Sequence, residues 1–224
     1  MKKNFAPETY FDLSKYIHKA LFDKSETVWD ALNNLDEYLM KLIESISAGG
    51  RIKGEVRVGA KLYGDNIIIS DGAIVESTAY IRGPVFIGPR SIVGPGAFIR
   101  GPVITGEKCI IGNSTEAKNT IMLDGSQASH FNYIGDSIFG NNATVGAGTQ
   151  LANTKITMTT VRVGGVDTGR KSFGAVLGDG TKLGCSAVCD PGTLIQKGCL
   201  ILPLTYVRGG VYEQGEKFML KKVV

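Results

Sequence analysis

The chain is poor in the residues that build disulfides and metal sites. Its 224 residues include four cysteines and two histidines. Cys185 and Cys189 lack the two-residue spacing of common metal sites, and no histidine lies near them in sequence. We therefore expect buried, reduced thiols and no metal centre.

Long apolar runs and a strong charge of either sign are also absent. No stretch approaches the roughly 20 residues that a membrane-spanning helix needs. No long apolar run follows the N-terminal Met-Lys-Lys, so the sequence predicts no signal peptide. The net charge of +4 is too small to indicate nucleic-acid binding by itself. We expect a cytoplasmic protein that binds neither membrane nor nucleic acid.

Glycine, with 30 residues, and a six-residue repeat are what the chain has in abundance. Every sixth residue from 69 to 117 is apolar or small: Ile69, Val75, Ile81, Ile87, Val93, Ile99, Thr105, Ile111 and Ala117. This period fits neither a helix nor a flat strand, and it is typical of a hexapeptide β-solenoid. Each hexad would form a short strand and a turn, and three hexads would close one triangular coil. Residues 18 apart should then stack at roughly 4.8 Å.

Residues 1–50 precede the repeat and have helical spacing. The pattern predicts one helix over residues 11–22, with His18 partly exposed, and a second from a Ser25 cap to about Ser47. Apolar residues of the second helix follow a heptad. That seam fits equally well a coiled coil with other subunits or an antiparallel hairpin with the first helix.

The solenoid is expected over residues 51–210, with an arm extruded at 153–173 and a strand-like tail at 211–224. The six-residue beat slips once, which predicts a bulge or loop near residues 124–133. After the arm the predicted inward residues are Leu177, Leu183, Cys189, Leu194 and Leu200.

Three basic residues lie 18 apart and should form a ladder on one face: Arg82, Arg100 and Lys118. Like charges at that spacing repel, so the ladder needs an anion or neighbouring acids. One interpretation is a phosphate site, and the other is a solvated face neutralised by Glu76 or Glu116. We favour the phosphate site for Arg100 and Lys118 and the solvated face for Arg82.

His130 lies in the segment where the beat slips. An imidazole near its reference pKa can accept a proton at neutral pH, which suits a general base. A lone loop histidine, judged by itself, is nevertheless structural or exposed more often than it is catalytic.

Several motifs between residues 97 and 149 resemble a known family: AFIRGP, GNSTEAKN, GSQASHFNYIGD and VGAGT. They are similar to the acetyltransferase domain of the bifunctional N-acetylglucosamine-1-phosphate uridyltransferase/glucosamine-1-phosphate acetyltransferase. The segment TGRKSFGAVLGDGTKLG resembles the archaeal sugar-1-phosphate nucleotidyltransferase/acetyltransferase branch. The resemblance covers roughly residues 65–210. It implies a left-handed parallel β-helix, a homotrimer with active sites between subunits, and acetyl-CoA as co-substrate.

The resemblance also implies roles for single residues. His130 corresponds to the catalytic base, which takes a proton from the 2-amino group of the sugar. The implied substrate contacts are Arg100, Lys118, Tyr133 and Asn153. The implied acetyl-CoA contacts are Gly146, Ala147 and Gly184. A backbone N–H at Ala147 would stabilise the oxyanion of the tetrahedral intermediate.

Two departures from the family pattern limit the prediction. Thr144 stands where bacterial members have an asparagine, and no nucleotidyltransferase domain is recognisable. We therefore expect an N-acetyltransferase for an amino-sugar phosphate such as glucosamine-1-phosphate, with no metal needed and no nucleotidyl transfer. The alternatives are a non-catalytic trimerising or regulatory module that serves a separate nucleotidyltransferase, and acyl transfer to another amino sugar, including a nucleotide-linked one.

Overall fold

Short parallel strands wind into a solenoid in the computed structural model of the chain, which describes residues 5–218. In chain order the strands are β1 (Glu55–Val56), β2 (Lys61–Tyr63), β3 (Ile67–Ile69), β4 (Ile74–Val75), β5 (Tyr80–Arg82), β6 (Val85–Ile87), β7 (Ile92–Val93), β8 (Phe98–Thr105), β9 (Ile110–Asn113), β10 (Glu116–Met122), β11 (Gln127–His130), β12 (Tyr133–Gly135), β13 (Ile138–Phe139), β14 (Thr144–Val145), β15 (Gln150–Leu151), β16 (Arg162–Val163), β17 (Val166–Asp167), β18 (Ala175–Leu177), β19 (Lys182–Leu183), β20 (Val188–Cys189), β21 (Thr193–Ile195), β22 (Leu200–Ile201), β23 (Tyr206–Val207), β24 (Gly210–Tyr212) and β25 (Lys217–Phe218).

Successive strands take the three faces of the solenoid in turn. The first face contains β1, β4, β7, β9, β11, β14, β19, β22 and β25. The second contains β2, β5, β12, β15, β20 and β23, and the third contains β3, β6, β13, β18, β21 and β24. The long strands β8 and β10 bend around one corner, so each contributes to both the second and the third face.

The predicted inward residues from Ile69 to Ala117 are all at most 1% exposed. With their small partners they form one continuous core that runs along the solenoid axis. Ile81 lies opposite Ile99 in the strand register, 18 residues further on. The predicted fold class, a parallel β-helix of hexapeptide repeats with an N-terminal helical appendage, is confirmed.

The slip in the beat lies earlier than predicted. The register shifts between Lys118 and Thr120, and strand partners on either side of this point are 17 residues apart instead of 18. The coil is one residue shorter at this corner, where Asn119 has a φ of 47°, a left-handed conformation that asparagine tolerates. The predicted loop at 124–133 is therefore wrong, since it contains strand β11, and Met122 rather than Leu123 belongs to the axial core.

Two of the later inward residues were also predicted one place too early. Ile195 and Ile201 lie in the axial core, whereas Leu194 faces the helical appendage and Leu200 is 38% exposed. From Cys189 onward, every sixth residue still points into the core. The geometry of the coil sets this period, even where a neighbouring residue is more apolar.

The N-terminal segment is less helical than predicted. It contains α1 (Pro7–Tyr10), α2 (Asp30–Glu44) and two 3₁₀ turns, at Lys19–Leu21 and Ala48–Gly50, so the helix over 11–22 is wrong. Helix α2 also starts later than expected from the Ser25 cap, and the Asp30 carboxylate accepts the N–H of Thr27 at 2.8 Å.

The heptad seam of α2 packs on the third face of its own solenoid, against the outward side chains of β8 and β10. It forms neither a coiled coil with another subunit nor a hairpin with a first helix. His18 is buried beneath this appendage, against the Phe86 ring, and not partly exposed as predicted.

The arm begins after β15 with an antiparallel bridge between Thr154 and Ser172 and ends in a hairpin of β16 and β17. Strand β13 pairs with β18 beyond the arm, so the coil closes as if the arm were absent. The last residues of the predicted tail, 219–224, lie outside the described residues. Within residues 5–218 no helix is long and apolar enough to cross a membrane.

Candidate active site

The basic ladder exists, and acids pair with two of its three members, Arg100 and Lys118. Arg82 lies opposite Arg100, and Arg100 lies opposite Lys118 on the second face. The Glu116 carboxylate accepts both Nε and Nη2 of Arg100, at 2.8 and 2.7 Å. Glu76 pairs with Arg57 instead of the ladder. The acids that the alternative interpretation required are thus present for Arg100.

Lys118 pairs with an acid that the sequence analysis did not single out. Its Nζ lies 3.3 Å from Oδ2 of Asp136, whose side chain is 4% exposed. The same carboxylate accepts Nδ2 of Asn119, Nδ2 of Asn153 and Nη2 of Arg170, at 2.6, 2.6 and 3.3 Å. A buried acid with four donors is therefore the centre of a cluster on the second face. This second-face cluster includes the predicted residues Arg100, Lys118, Tyr133 and Asn153. In the strand register Lys118 lies opposite Gly135, so Asp136 comes one place after the ladder position of the next coil.

Tyr133 joins this cluster through Asn153. Its hydroxyl donates to Oδ1 of Asn153 at 3.3 Å. Burial raises the pKa of Tyr133, and the nearby negative charges of Glu116 and Asp136 raise it further. The phenol consequently stays protonated near neutral pH and can donate a hydrogen bond.

His130 stands at the end of β11, at the corner between the first and second faces, with an exposed side chain. Its backbone is held on both sides: the N–H donates to Oδ1 of Asn132 at 3.1 Å, and the carbonyl accepts the N–H of Gly148 at 3.0 Å. Buried Asn132 also donates to the carbonyl of Gly146 at 2.7 Å. Asn132 therefore fixes His130 relative to the next coil while the imidazole is open to solvent.

His130 borders a groove of about 600 Å³ on the first face. Gly146, Ala147 and Gly184, the residues predicted to contact acetyl-CoA, line the same groove. The N–H of Gly146 donates to the carbonyl of Leu183, and the N–H of Gly184 donates to the carbonyl of Ile201, each at 2.8 Å. Among the backbone hydrogen bonds of residues 5–218, none is donated by the N–H of Ala147. Of these three groove residues, Ala147 is thus the one whose backbone N–H has no backbone acceptor. The two glycines have no side chains and leave room in the groove.

The structure brings the predicted residues together in two groups on either side of one corner. His130, Gly146, Ala147 and Gly184 border the groove on the first face. The second-face cluster contains Arg100, Lys118, Tyr133 and Asn153, and the turn from His130 to Tyr133 joins the two groups. Sequence reasoning missed Asn132, Asp136 and Arg170. No group of three or more His, Cys, Asp or Glu that could hold a metal ion occurs within the described part of the chain.

Comparisons with known proteins agree with the motifs. Residues 81–168 match the family model of the GMPPB C-terminal domain. Bifunctional protein GlmU of Methanococcus maripaludis strain C7 is 37% identical over 204 residues, covering 87% of this chain and 48% of that protein. The predicted resemblance is confirmed. The chain is similar as well to the bifunctional sugar-1-phosphate nucleotidylyltransferase/acetyltransferase of Sulfurisphaera tokodaii, at 34% identity over 154 residues, 67% of this chain and 38% of that protein.

The chain spans about half the length of these GlmU relatives. Among solved structures, UDP-N-acetylglucosamine acyltransferase from Campylobacter jejuni covers 71% of this chain and 68% of its own, at 16% identity and a TM-score of 0.38. That similarity is too distant to bear on activity, which has to be argued from the site.

Proposed function

We propose that the chain transfers the acetyl group of acetyl-CoA to the 2-amino group of an amino-sugar phosphate such as glucosamine-1-phosphate. The observation that carries the proposal is that the exposed His130 and Ala147, whose N–H donates no backbone hydrogen bond, line the same groove. A base and an oxyanion donor bordering one groove are what acyl transfer to an amine needs. The name of the Sulfurisphaera tokodaii relative, which includes acetyltransferase, supports the same chemistry.

His130 would take a proton from the sugar amine as its nitrogen attacks the thioester carbonyl. The carbonyl oxygen becomes an oxyanion, which the N–H of Ala147 would stabilise. Collapse of the intermediate forms the amide, breaks the C–S bond and releases CoA, whose thiolate recovers the proton from His130. Proton balance is complete without a metal.

Arg100 and Lys118 would bind the phosphate of the acceptor, and Tyr133 would donate to the sugar. Arg100 is about two-fifths exposed, so a phosphate can approach it from solvent while Glu116 remains on the other side of the guanidinium. Lys118 is one-third exposed, and its partner Asp136 is buried beneath it. This leaves the outer side of both cations for an anion.

We also propose that three copies assemble and that the active site is completed at their contact. The appendage covers the third face, which leaves the first and second faces and the corner between them for other subunits. That corner contains His130 and the exposed ring of Phe131.

The test is acetyl transfer from acetyl-CoA to glucosamine-1-phosphate, followed by release of the free thiol. His130→Ala should lower kcat about 10²–10⁴-fold while leaving the thermal unfolding midpoint unchanged, because the side chain is exposed and acts through its proton. Normal turnover by this variant would exclude His130 as the base. Parallel assays with other amino sugars, including nucleotide-linked ones, would identify the acceptor.

A second candidate is a non-catalytic module that serves a separate nucleotidyltransferase. Arg100 and Lys118 both pair with acids of the same chain, which favours this candidate, since such a surface is stable without a substrate anion. Calorimetry with CoA separates the candidates. Micromolar binding of CoA supports the enzyme, whereas no CoA binding and no acetyl transfer support the module.

A further inference from the structure

The Asp136 carboxylate has each of its oxygens occupied by two donors. Oδ1 accepts Asn119 at 2.6 Å and Arg170 at 3.3 Å, and Oδ2 accepts Asn153 at 2.6 Å and Lys118 at 3.3 Å. A carboxylate accepts on all sides, whereas a side-chain amide has one end that can only donate. This site therefore accommodates an acid and not its amide.

Asp136 determines which way the Asn153 amide points. Because the amide nitrogen of Asn153 donates to Asp136, the amide oxygen faces Tyr133 and accepts its hydroxyl hydrogen. The carboxylate thus orients two residues of the second-face cluster in series and contacts a third, Lys118, directly.

Arg170 links this carboxylate to two other parts of the chain. Its Nε donates to the carbonyl of Ser172 at 3.1 Å, which fixes the base of the arm, and its Nη1 donates to Oδ1 of Asn33 on helix α2. The Arg170 side chain is only 14% exposed. The arm, the appendage and the second-face cluster therefore meet at one buried ion pair.

We propose that Asp136 is a positioning residue for the amino-sugar site, and that Arg170 of the arm holds it in place. This rests on the function proposed above. Asp136 is nearly inaccessible, so it acts through Lys118, Asn153 and Tyr133. Removing its charge leaves two cations without their shared acid and reverses the polarity of one hydrogen-bonding edge. Acetyl-CoA, bound on the first face, should be unaffected.

Steady-state kinetics of Asp136→Asn tests the proposal. We expect the KM for glucosamine-1-phosphate to rise at least about tenfold, the KM for acetyl-CoA to stay within about twofold, and the pH profile of kcat to keep its shape, because His130 is untouched. A merely structural role would lower the fraction of active enzyme and alter both KM values little.

Arg170→Gln is the second variant, and Arg162→Gln is its matched control. Arg162 lies on the same arm but donates to Gly165 within its own hairpin, at 2.7 Å. Arg170→Gln should raise the KM for the sugar phosphate several-fold, Arg170→Lys should restore part of the affinity, and Arg162→Gln should behave as wild type. If Asp136→Asn does not fold, these three variants decide.

Wild-type KM values in Asp136→Asn and Arg170→Gln would overturn the proposal, as would an equal rise with Arg162→Gln. Failure of the proposed function is a separate result, seen when the wild-type protein transfers no acetyl group. Crystal structures of the variants then decide. Displacement of Lys118 Nζ and the Tyr133 hydroxyl supports positioning by Asp136, and unchanged positions contradict it.

Discussion

At the scale of single residues, Gly135 determines how closely Tyr133 and Asn153 can meet. A Cβ placed on Gly135 would lie 2.7 Å from both the Tyr133 hydroxyl and Nδ2 of Asn153, closer than such atoms approach. Gly135→Ala should therefore separate the pair and raise the KM for the sugar phosphate several-fold, with little loss of stability. Steady-state kinetics measure this. Gly49→Ala is the control, since no atom lies within 4 Å of its Cβ, and equal KM values in both variants would contradict the prediction.

His18 should make stability depend on pH. Burial lowers its pKa to about 4, and its Nδ1 shares a 2.9 Å hydrogen bond with the Tyr38 hydroxyl. The folded pKa lies below the unfolded value of about 6.5, so the stabilising contribution is complete above pH 6.5 and is lost as the pH falls towards 4. The loss should reach on the order of 3 kcal/mol. Denaturant unfolding across this range should show a flatter profile for His18→Gln, and identical profiles would count against a neutral buried imidazole.

The candidate catalytic and binding residues were predictable where a motif or the 18-residue stacking rule identified them. Buried hydrogen-bond acceptors were less predictable. Arg100 and Lys118 followed from their spacing of 18, and His130 from its motif. Asp136 and Asn132 have roles that arise only when coils stack, because each bonds residues 14 to 18 positions away in sequence. Arg170 lies in the arm, where no period constrains position, so its contact with Asp136 could not be foreseen.

At the scale of secondary-structure elements, helix α2 shows why a correct pattern led to two wrong partners. An apolar stripe needs an apolar surface, but its spacing does not say which one. The third face supplies that surface with an outward apolar row, including Phe86, Ile104 and Ile121. These residues lie next to the inward positions of the repeat, so their strands present apolar side chains both to the axial core and to the appendage.

Truncation of the α2 stripe should destabilise the appendage in proportion to burial. Leu39 is fully buried, whereas Leu42 is partly buried at the edge of the same helix. Leu39→Ala should cost about 2–5 kcal/mol in the free energy of unfolding, and Leu42→Ala clearly less. Chemical denaturation measures both. Equal losses would indicate that α2 does not pack through the Leu39 side of the helix.

At the scale of the whole molecule, the period alone predicts most of the architecture. A beat of six fixes the triangular coil, the axial core and the stacking of residues 18 apart, since one geometry repeats along the chain. Positions where the period changes were predicted at the wrong residues. The slip occurs at Asn119, and the inward residues near the end of the solenoid are Ile195 and Ile201. The helix expected over 11–22 failed because turns and a 3₁₀ segment bury Phe11, Tyr16 and Leu21, whose spacing of five does not fit one helix face, while Ile17 stays 64% exposed.

The corner that carries His130 also carries an aromatic residue that a single chain leaves largely uncovered. Phe131 is 59% exposed and has a φ of 54°, a conformation that is uncommon for a bulky side chain. Such a ring beside the proposed base is suited to contact a second copy, so a substitution there should affect assembly and activity together.

Phe131→Asp should convert the proposed trimer into monomers and abolish acetyl transfer, because it places a charge at the subunit contact. Aspartate tolerates the left-handed backbone better than most residues, so the fold should persist. Light scattering should give about three times the 23.9 kDa chain mass for wild type and a single chain mass for the variant. Ile17→Asp is the control, since Ile17 is 64% exposed on the appendage, and it should stay trimeric and active. A trimeric Phe131→Asp protein with normal turnover would place the subunit contact elsewhere.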